Sequence, residues 1–279
     1  MTDKTELQHL PRLQVVLSDT SPIRSGIVAR GLKEARTLFP ADAEAAKTPE
    51  EEYEIGCNYI LGDKVEKNGA LAAMWLRRAA RRDHVIAQYL LGNIYYQNII
   101  GVEQSKEKAR LWFGKAAEHG FPPAQLAVGT MYTSGIGCEQ DYIKAEVWIR
   151  KAAEQGESYA QSSLGVFYQN GQGVSKDPQK AAFWYRKAAD QDNVGAQFIL
   201  GTMYDGGEGV SQDAAESAKW YRKAADQGYD LAQCALGRCY SDGHGVDQDE
   251  AQALIWFRKA ADQGNETAQS YLDVAKETE

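Results

Sequence analysis

The chain has 279 residues, of which 43% are hydrophobic and 25% charged, the composition of a folded chain rather than a disordered one. A formal net charge of −8 argues against a general nucleic-acid binder, which needs a basic footprint to neutralise phosphate. No apolar run approaches the length of a spanning helix, and the opening MTDKTELQHLPRLQVVLSDT has no signal-like apolar core, so the expectation is a cytoplasmic protein without membrane insertion.

Residues 1–47 stand apart from the rest as an N-terminal extension. The short apolar piece from Leu13 to Leu17 has no assignment. Ser25 to Phe39 reads as one amphipathic helix, about 26–39, with Ile27, Val28, Leu32, Ala35, Leu38 and Phe39 on one side. Pro40 stops it. Two roles are open to this helix: a seal on the front of the periodic region, or a separate docking segment.

From residue 48 to 279 the chain is periodic. Thr48-Pro49-Glu50-Glu51 is a helix start, with a cap, a proline in the first turn and an acid at the third position. The six tryptophans, Trp75, Trp112, Trp148, Trp184, Trp220 and Trp256, then fall 37 residues apart once and 36 apart thereafter. Ala-Ala pairs beginning at Ala79, Ala116, Ala152, Ala188, Ala224 and Ala260 keep the same beat, as do Gly56, Gly92, Gly129, Gly165, Gly201 and Gly237. Self-similarity of this period means stacked units that each contact only their neighbours.

One unit shows the grammar. A first helix, A, is expected over 158–170, then a turn through Gly171 and Gly173, then a second helix, B, over 178–190. The turn glycines permit a sharp reversal. Asp177 suits the cap of helix B and Pro178 its first position. Asp213 with Glu216, and Asp249 with Gln252, have capping-box spacing. Gly120, Gly156, Gly228 and Gly264 suit the position just after helix B. Ala181, Trp184 and Ala188 make the apolar stripe of helix B, and Leu164, Phe167 and Tyr168 the matching face of helix A, where Gly165 permits close approach. The Arg-Lys pairs before Ala-Ala are expected to face outward. The first unit is atypical, with Glu51-Glu52 in place of Ala-Gln and Lys64 in place of the second turn glycine. The second carries one extra turn residue within Asn98 to Val102. Ala268-Gln269-x-x-Leu272 opens a seventh helix A, expected to cover the apolar face of unit six.

The pattern Ala-Gln-x-x-Leu-Gly-x-x-Tyr-x-x-Gly-x-Gly-Val, continuing through Asp, Lys-Ala and Trp-Tyr-Arg-Lys-Ala-Ala, resembles the bacterial form of the Sel1-like repeat from about Pro49 to the C-terminus. That resemblance implies an all-α, tetratricopeptide-like α/α superhelical solenoid of about six repeats with a C-terminal capping helix, acting as an adaptor or scaffold. Some members of the family that the chain resembles carry paired cysteines in each repeat and are exported. Here Cys57, Cys138, Cys234 and Cys239 occupy four different slots, and Cys234 and Cys239 point apart on one helix. Reduced thiols are the expectation.

No catalytic or metal site is legible, and no cofactor or small-molecule substrate is expected. His9, His84, His119 and His244 belong to no nucleophile–base or metal pattern. Arg81 and Arg82 make the first unit locally basic, as a solvated helix end or as a docking patch for an acidic partner. Helix A also carries a stripe at i, i+4, i+7 whose residues differ in every unit: Tyr89, Asn93 and Tyr96; Leu126, Thr130 and Thr133; Ser162, Val166 and Gln169; Phe198, Thr202 and Asp205; Cys234, Arg238 and Ser241. Core slots should recur because every interface is the same interface. The varying stripe is either plain solvent-facing surface or a surface that reads a ligand; the resemblance to tetratricopeptide-like solenoids implies that helix A lines the concave side, and on that analogy the stripe is read as the partner groove, with Tyr89, Leu126, Phe198 and Arg238 as anchors. The expected function is a non-enzymatic scaffold for a protein partner. A toxin-neutralising or secretion-associated role is the alternative, and a hydrolase, for which no dyad or triad is visible, the remote one.

Overall fold

The computed structural model describes residues 46–62, 65–97 and 101–277. The helix expected over 26–39 lies outside the described residues, as does all of the extension except its last two positions. Thirteen α-helices and no strand occur among the described residues. They are α1 (Pro49–Leu61), α2 (Gly69–Arg81), α3 (Val85–Gln97), α4 (Lys106–Glu118), α5 (Pro122–Ser134), α6 (Tyr142–Glu154), α7 (Ser158–Asn170), α8 (Pro178–Ala189), α9 (Val194–Gly206), α10 (Ala214–Asp226), α11 (Asp230–Asp242), α12 (Glu250–Ala261) and α13 (Glu266–Glu277). Odd-numbered helices are A and even-numbered are B. The chain forms two compact units, one ending at Asp141 and one beginning at Tyr142. Within each, every helix packs on the next in the chain, giving an all-α solenoid of helix pairs.

The helix ends obey the sequence punctuation. Thr48 caps α1 with a full capping box, its side chain accepting from the Glu51 amide while the Glu51 carboxylate accepts from the Thr48 amide. Asp177, Asp213 and Asp249 each accept from the backbone amide three residues on, at 3.0 Å. The return bond of the expected capping boxes forms at neither Asp213 nor Asp249, because each backbone amide already donates to a carbonyl of the preceding helix A, Tyr204 or Tyr240, at 2.9 Å. After helix B the chain enters the left-handed region at Gly120, Gly156, Gly228 and Gly264. Two repeats place aspartate there instead, with φ of 61° at Asp83 and 60° at Asp192, a conformation that aspartate tolerates better than most side chains.

The second turn glycine serves contact as well as conformation. A Cβ on Gly173, Gly209 or Gly245 would sit 2.0–2.2 Å from the carbonyl oxygen of Tyr142, Pro178 or Ala214. Each turn thus rests directly on the first turn of the preceding helix B. The glycine within helix A answers a ring. A Cβ on Gly165, Gly201 or Gly237 would lie 2.7–2.8 Å from Tyr185, Tyr221 or Phe257, the residue after each tryptophan. Of the tryptophans, Trp75, Trp112, Trp184, Trp220 and Trp256 are buried, whereas Trp148 is only half-buried.

The Arg-Lys pairs correct the expectation that they merely face outward. The arginine reaches the tyrosine hydroxyl of the next helix A, 18 residues on: Arg77 to Tyr95, Arg150 to Tyr168 at 2.8 Å, Arg186 to Tyr204 and Arg222 to Tyr240. The lysine lies over its own helix's indole, as Lys151 does over Trp148 at 4.3 Å, Lys223 over Trp220 at 4.1 Å and Lys259 over Trp256 at 3.9 Å. In both cases the aliphatic stem covers apolar surface while the charge stays near water.

A glutamine in each helix A supplies the other recurring tie. The amides of Gln88, Gln125, Gln161, Gln197 and Gln233 are buried and donate to the carbonyls of Ala80, Ala117, Ala153, Ala189 and Ala225, at 3.1–3.2 Å. In the second unit the same amide oxygens accept, at 2.8 Å, from a glutamine 30 residues on: Gln191 to Gln161, Gln227 to Gln197 and Gln263 to Gln233. The first repeat replaces this amide pair by a charged one. Buried Glu52 occupies the helix-A slot and Arg82, again 30 residues on, holds it at 3.4 Å, with Arg78 at 2.9 Å. In the second repeat the later slot is His119, which sits 3.8 Å from Asp83, and the buried Gln88 oxygen has no hydrogen-bond partner among the described residues.

At the other end Ala268 and Leu272 of α13 are buried with Cys234, Ala253, Phe257 and Ala260, and Tyr271 stacks on Phe257 with centroids 4.5 Å apart. The seventh helix A therefore covers the sixth pair as expected. All four cysteines are free. Burial pushes the Cys57 thiol up to about 12 and, with Asp205 adding to it, the Cys239 thiol up to about 11.

These contacts set the outcome of stability measurements. Trp184→Ala should cost about 3–5 kcal/mol in denaturant unfolding, and Trp148→Ala distinctly less, because its ring is already partly in water. Gly201→Ala should destabilise by about 1–3 kcal/mol by driving a methyl into the Tyr221 ring. Gly114→Ala should do the reverse by about 0.5–1 kcal/mol, since nothing lies within 4 Å of a Cβ there and the position is mid-helix. His119→Gln should raise the melting temperature by supplying a donor to the Gln88 oxygen, about 1 kcal/mol for a net hydrogen bond; an unchanged or lower value would show that the histidine is the better fit.

Candidate functional site

The stripe on helix A has a graded exposure that the sequence does not reveal. Its first slot points inward. Tyr89 is buried, 5.6 Å from the Phe113 ring and 5.2 Å from Phe121, centroid to centroid. Phe198 is half-buried and repeats that arrangement 5.8 Å from Tyr221 and 5.3 Å from Tyr229. Cys234 is buried against Phe257. Leu126 and Ser162 are half-buried. Tyr89 and Phe198 are thus packing residues that shape the stripe from beneath, which departs from the expectation that they stand open as anchors.

The physical reason is that a core slot can vary when its neighbour varies with it. Tyr89 and Phe198 meet an aromatic residue just before the next helix A, Phe121 and Tyr229. Where the slot holds the smaller Ser162 or Cys234, the residue before the next helix A is Asn193 or Asn265. Comparing one slot at a time hides this pairing; comparing slots 31 or 32 residues apart exposes it.

The second slot is the open edge. Thr130, Thr202 and Arg238 are exposed and Asn93 and Val166 half-buried. The third slot, Tyr96, Thr133, Gln169, Asp205 and Ser241, is half-buried throughout. Several of these side chains are already engaged. The Asn93 amide donates to the Tyr89 carbonyl at 3.2 Å, Thr202 to the Ile199 carbonyl at 2.7 Å, and Gln169 accepts from the Tyr185 hydroxyl at 2.8 Å. Lys106 lies over the Tyr96 ring at 3.6 Å.

In the second unit the structure brings Asp205 and Arg238 of the stripe to one cleft of about 240 Å³, lined also by Tyr221, Ala235, Cys239, Asp242, Gly243 and His244. Helices α9 and α11 deliver the rim charges near their C-terminal ends, and the turn after α11 adds His244, whose Nε2 lies 2.8 Å from Asp205. Tyr221 and Cys239 are buried beneath, and burial pushes the Tyr221 hydroxyl up to about 12. Thiol and phenol are held protonated at neutral pH, so this floor offers packing and hydrogen bonding, not a nucleophile. Arg238 makes no ion pair with a described residue. Among the described residues no group of three metal-ligating side chains converges, and no helix is long and apolar enough to cross a membrane.

The arginines of the first unit are mostly committed. Arg78 lies over the Trp75 ring at 4.4 Å besides pairing with Glu52, and Arg82 donates to the Lys47 carbonyl at 2.8 Å besides its own Glu52 contact. Arg81 is exposed. The basic run is thus in large part the internal counterpart of one buried carboxylate.

Comparison with known proteins agrees with this architecture. The Sel1 repeat family model matches six times, at residues 52–84, 85–121, 122–157, 158–193, 194–229 and 230–265. A protective antigen of uropathogenic Escherichia coli with an SLR fold is 38% identical over 87% of this chain, with a TM-score of 0.77; the chain spans 50% of that protein's length. A Sel1 repeat protein from Oxalobacter formigenes is 30% identical, covering 85% of this chain and 97% of that one, with a TM-score of 0.69. An immunity protein from Pseudomonas aeruginosa is 18% identical over 90% of this chain and 86% of its own, with a TM-score of 0.48. No curated protein matches. With six family repeats covering every helix from the middle of α1 to the turn before α13, and a near full-length relative at 30% identity, the chain belongs to the Sel1 repeat family.

Proposed function

We infer that this chain is a non-enzymatic interaction scaffold that binds a protein partner along the helix-A stripe. Solenoids of this class offer extended surfaces rather than enclosed pockets. The observation that supports the reading most directly is the cleft of the second unit. It has an apolar and aromatic floor, a polar rim, and an exposed guanidinium without a carboxylate partner among the described residues, which is the anatomy of a surface completed by another molecule. The contact residues assigned to the partner are the exposed Thr130 in the first unit and Thr202 and Arg238 in the second, with the half-buried Ser241 beside them. Asn93, Tyr96, Leu126, Tyr89 and Phe198 shape the wall behind them. Four free cysteines support a reducing compartment, for which the cytoplasm is the assignment.

The test is capture from the native host with mass spectrometry, using the wild-type chain, a Thr202→Arg/Arg238→Glu double variant, and a control altered on helix B, Gln179→Arg. All three substitutions are at exposed positions and should leave melting within about 0.5 kcal/mol of wild type. Partners held by wild type and control but lost from the double variant are the expected result. Equal capture by all three would reject the stripe as the binding surface.

A further inference from the structure

One open slot of helix B keeps its chemistry from repeat to repeat. It is the residue before each tryptophan: Met74, Leu111, Val147, Phe183, Lys219 and Ile255. Leu111, Val147, Phe183 and Ile255 are 45–56% exposed, so packing within the solenoid does not account for them. Five of the six are apolar, and no two of these five are the same residue. Copying of one repeat would preserve a residue; here the residue has changed each time and only its apolar character has stayed. A single exposed apolar side chain needs no explanation. One that recurs at an open slot marks a surface that another molecule covers.

Lysines frame the slot, three residues before it and four after: Lys108 and Lys115 around Leu111, Lys144 and Lys151 around Val147, Lys180 and Lys187 around Phe183. Residues at i, i+3 and i+7 share one helix face. In the second unit two such triples lie on α6 and α8. The first turns of these helices are neighbours, because the turn before α8 rests through Gly173 on the Tyr142 carbonyl. Ile143, 69% exposed, adds to the apolar row. The face is also locally basic on a chain of net charge −8. No acidic residue occurs in α8, and Glu146 of α6 is buried against Arg150. Lys180 is tied to Asp177 at 3.0 Å. Lys151 lies over Trp148, and Lys187 over Phe183 and Trp184; neither pairs with a carboxylate among the described residues. The pattern stops at α10, where Glu216 and Lys219 take the first two places and pair with each other.

The dimensions choose the occupant. Seven residues of helix rise about 10.5 Å, so the two lysines of a triple stand about one helix diameter apart. Packed helices lie about 10 Å apart, so the apolar residues of successive helices B follow at an interval close to seven residues of a crossing helix. A helix laid across α6 and α8 can set one apolar residue per heptad on Val147 and on Phe183. Carboxylates on its two flanks then meet the two lysine rows, as flanking charges do in a coiled coil. A bilayer would also meet the exposed acids Glu154 and Asp190, which come next on the same faces; a single helix leaves them outside.

We propose that the outer face of α6 and α8 is a second docking surface, for an acidic amphipathic helix of a partner protein. It shares no residue with the helix-A stripe, so either surface can fail without the other. In the native host, the photocrosslinking residue p-benzoylphenylalanine is placed at Phe183 of the full-length chain, or at Thr202 to report on the helix-A stripe, and the crosslinked peptides are sequenced by mass spectrometry. From position 183 the expected adduct is a protein segment with apolar residues three, four and seven apart and Glu or Asp beside them. Its yield should fall about tenfold or more in Lys151→Glu/Lys187→Glu. It should fall about threefold or more in Lys151→Gln/Lys187→Gln, which is milder for the fold, and hold in Lys151→Arg/Lys187→Arg and in Thr202→Arg/Arg238→Glu. A lipid adduct would show a membrane surface instead, and an adduct to the same chain a second copy; either overturns the proposal. So would a segment without acidic residues, no adduct from position 183, or a wild-type yield in both the Glu and the Gln variants.

Discussion

One buried amide holds three helices at once. Gln161 donates to the last turn of α6, belongs to α7, and accepts from the glutamine just past α8. A primary amide suits this position because it is donor and acceptor together and carries no charge to desolvate. The carbonyl it meets already accepts from the Gly156 amide just past the helix, at 3.0 Å, so the glutamine uses its second lone pair. The bond therefore ties the next helix to a helix terminus and sets the spacing between repeats in one step. The apolar groups, alanines, tryptophan and the ring on glycine, supply the larger energy by area. They do not by themselves fix register, since apolar contact is non-directional. The amide and the Arg–Tyr pair do, and each ties a helix B to the following helix A.

The first two repeats show how much variation this device tolerates. Glu52 and Arg82 change together, so a hydrogen-bonded pair becomes an ion pair in the same place. The carboxylate is nearly fully buried, while both of its arginines keep substantial exposure. That geometry keeps one charge of each pair near water and limits the desolvation cost. In the second repeat only one partner changes, to His119, and a buried acceptor is left over. The two repeats thus separate a compensated substitution from an uncompensated one.

Much of this is legible from spacing. Spacing predicts helices over 158–170 and 178–190, and α7 and α8 run over 158–170 and 178–189, because glycine, aspartate and proline act locally and mark their own positions. The closing role of Ala268 and Leu272 is legible for the same reason. The exposure of the stripe is not. Tyr89 and Phe198 vary between repeats, and variation reads as freedom, yet each is matched to an aromatic residue 31 or 32 positions later. The partner of Arg186 is equally hidden: a basic pair on a helix reads as solvated, and only the fold brings a tyrosine hydroxyl 18 residues on beside it, whereas Lys223 and Trp220 are i, i+3 neighbours that helical spacing alone places together. Side chains with long stems carry their function where the stem leads, and sequence periodicity records only where it begins.

The spans of these ties have a consequence for how such chains change length. The amide bond bridges 8 residues, the arginine–tyrosine bond 18 and the glutamine pair 30, all shorter than one repeat. Copying or deleting a block of 36 residues therefore leaves every kind of tie with a proper partner, whatever the starting point of the block. A chain held by long-range pairs would be broken by the same event. Evolution can thus treat this molecule as a ruler to be lengthened by whole divisions, with each added division bringing a fresh set of open side chains.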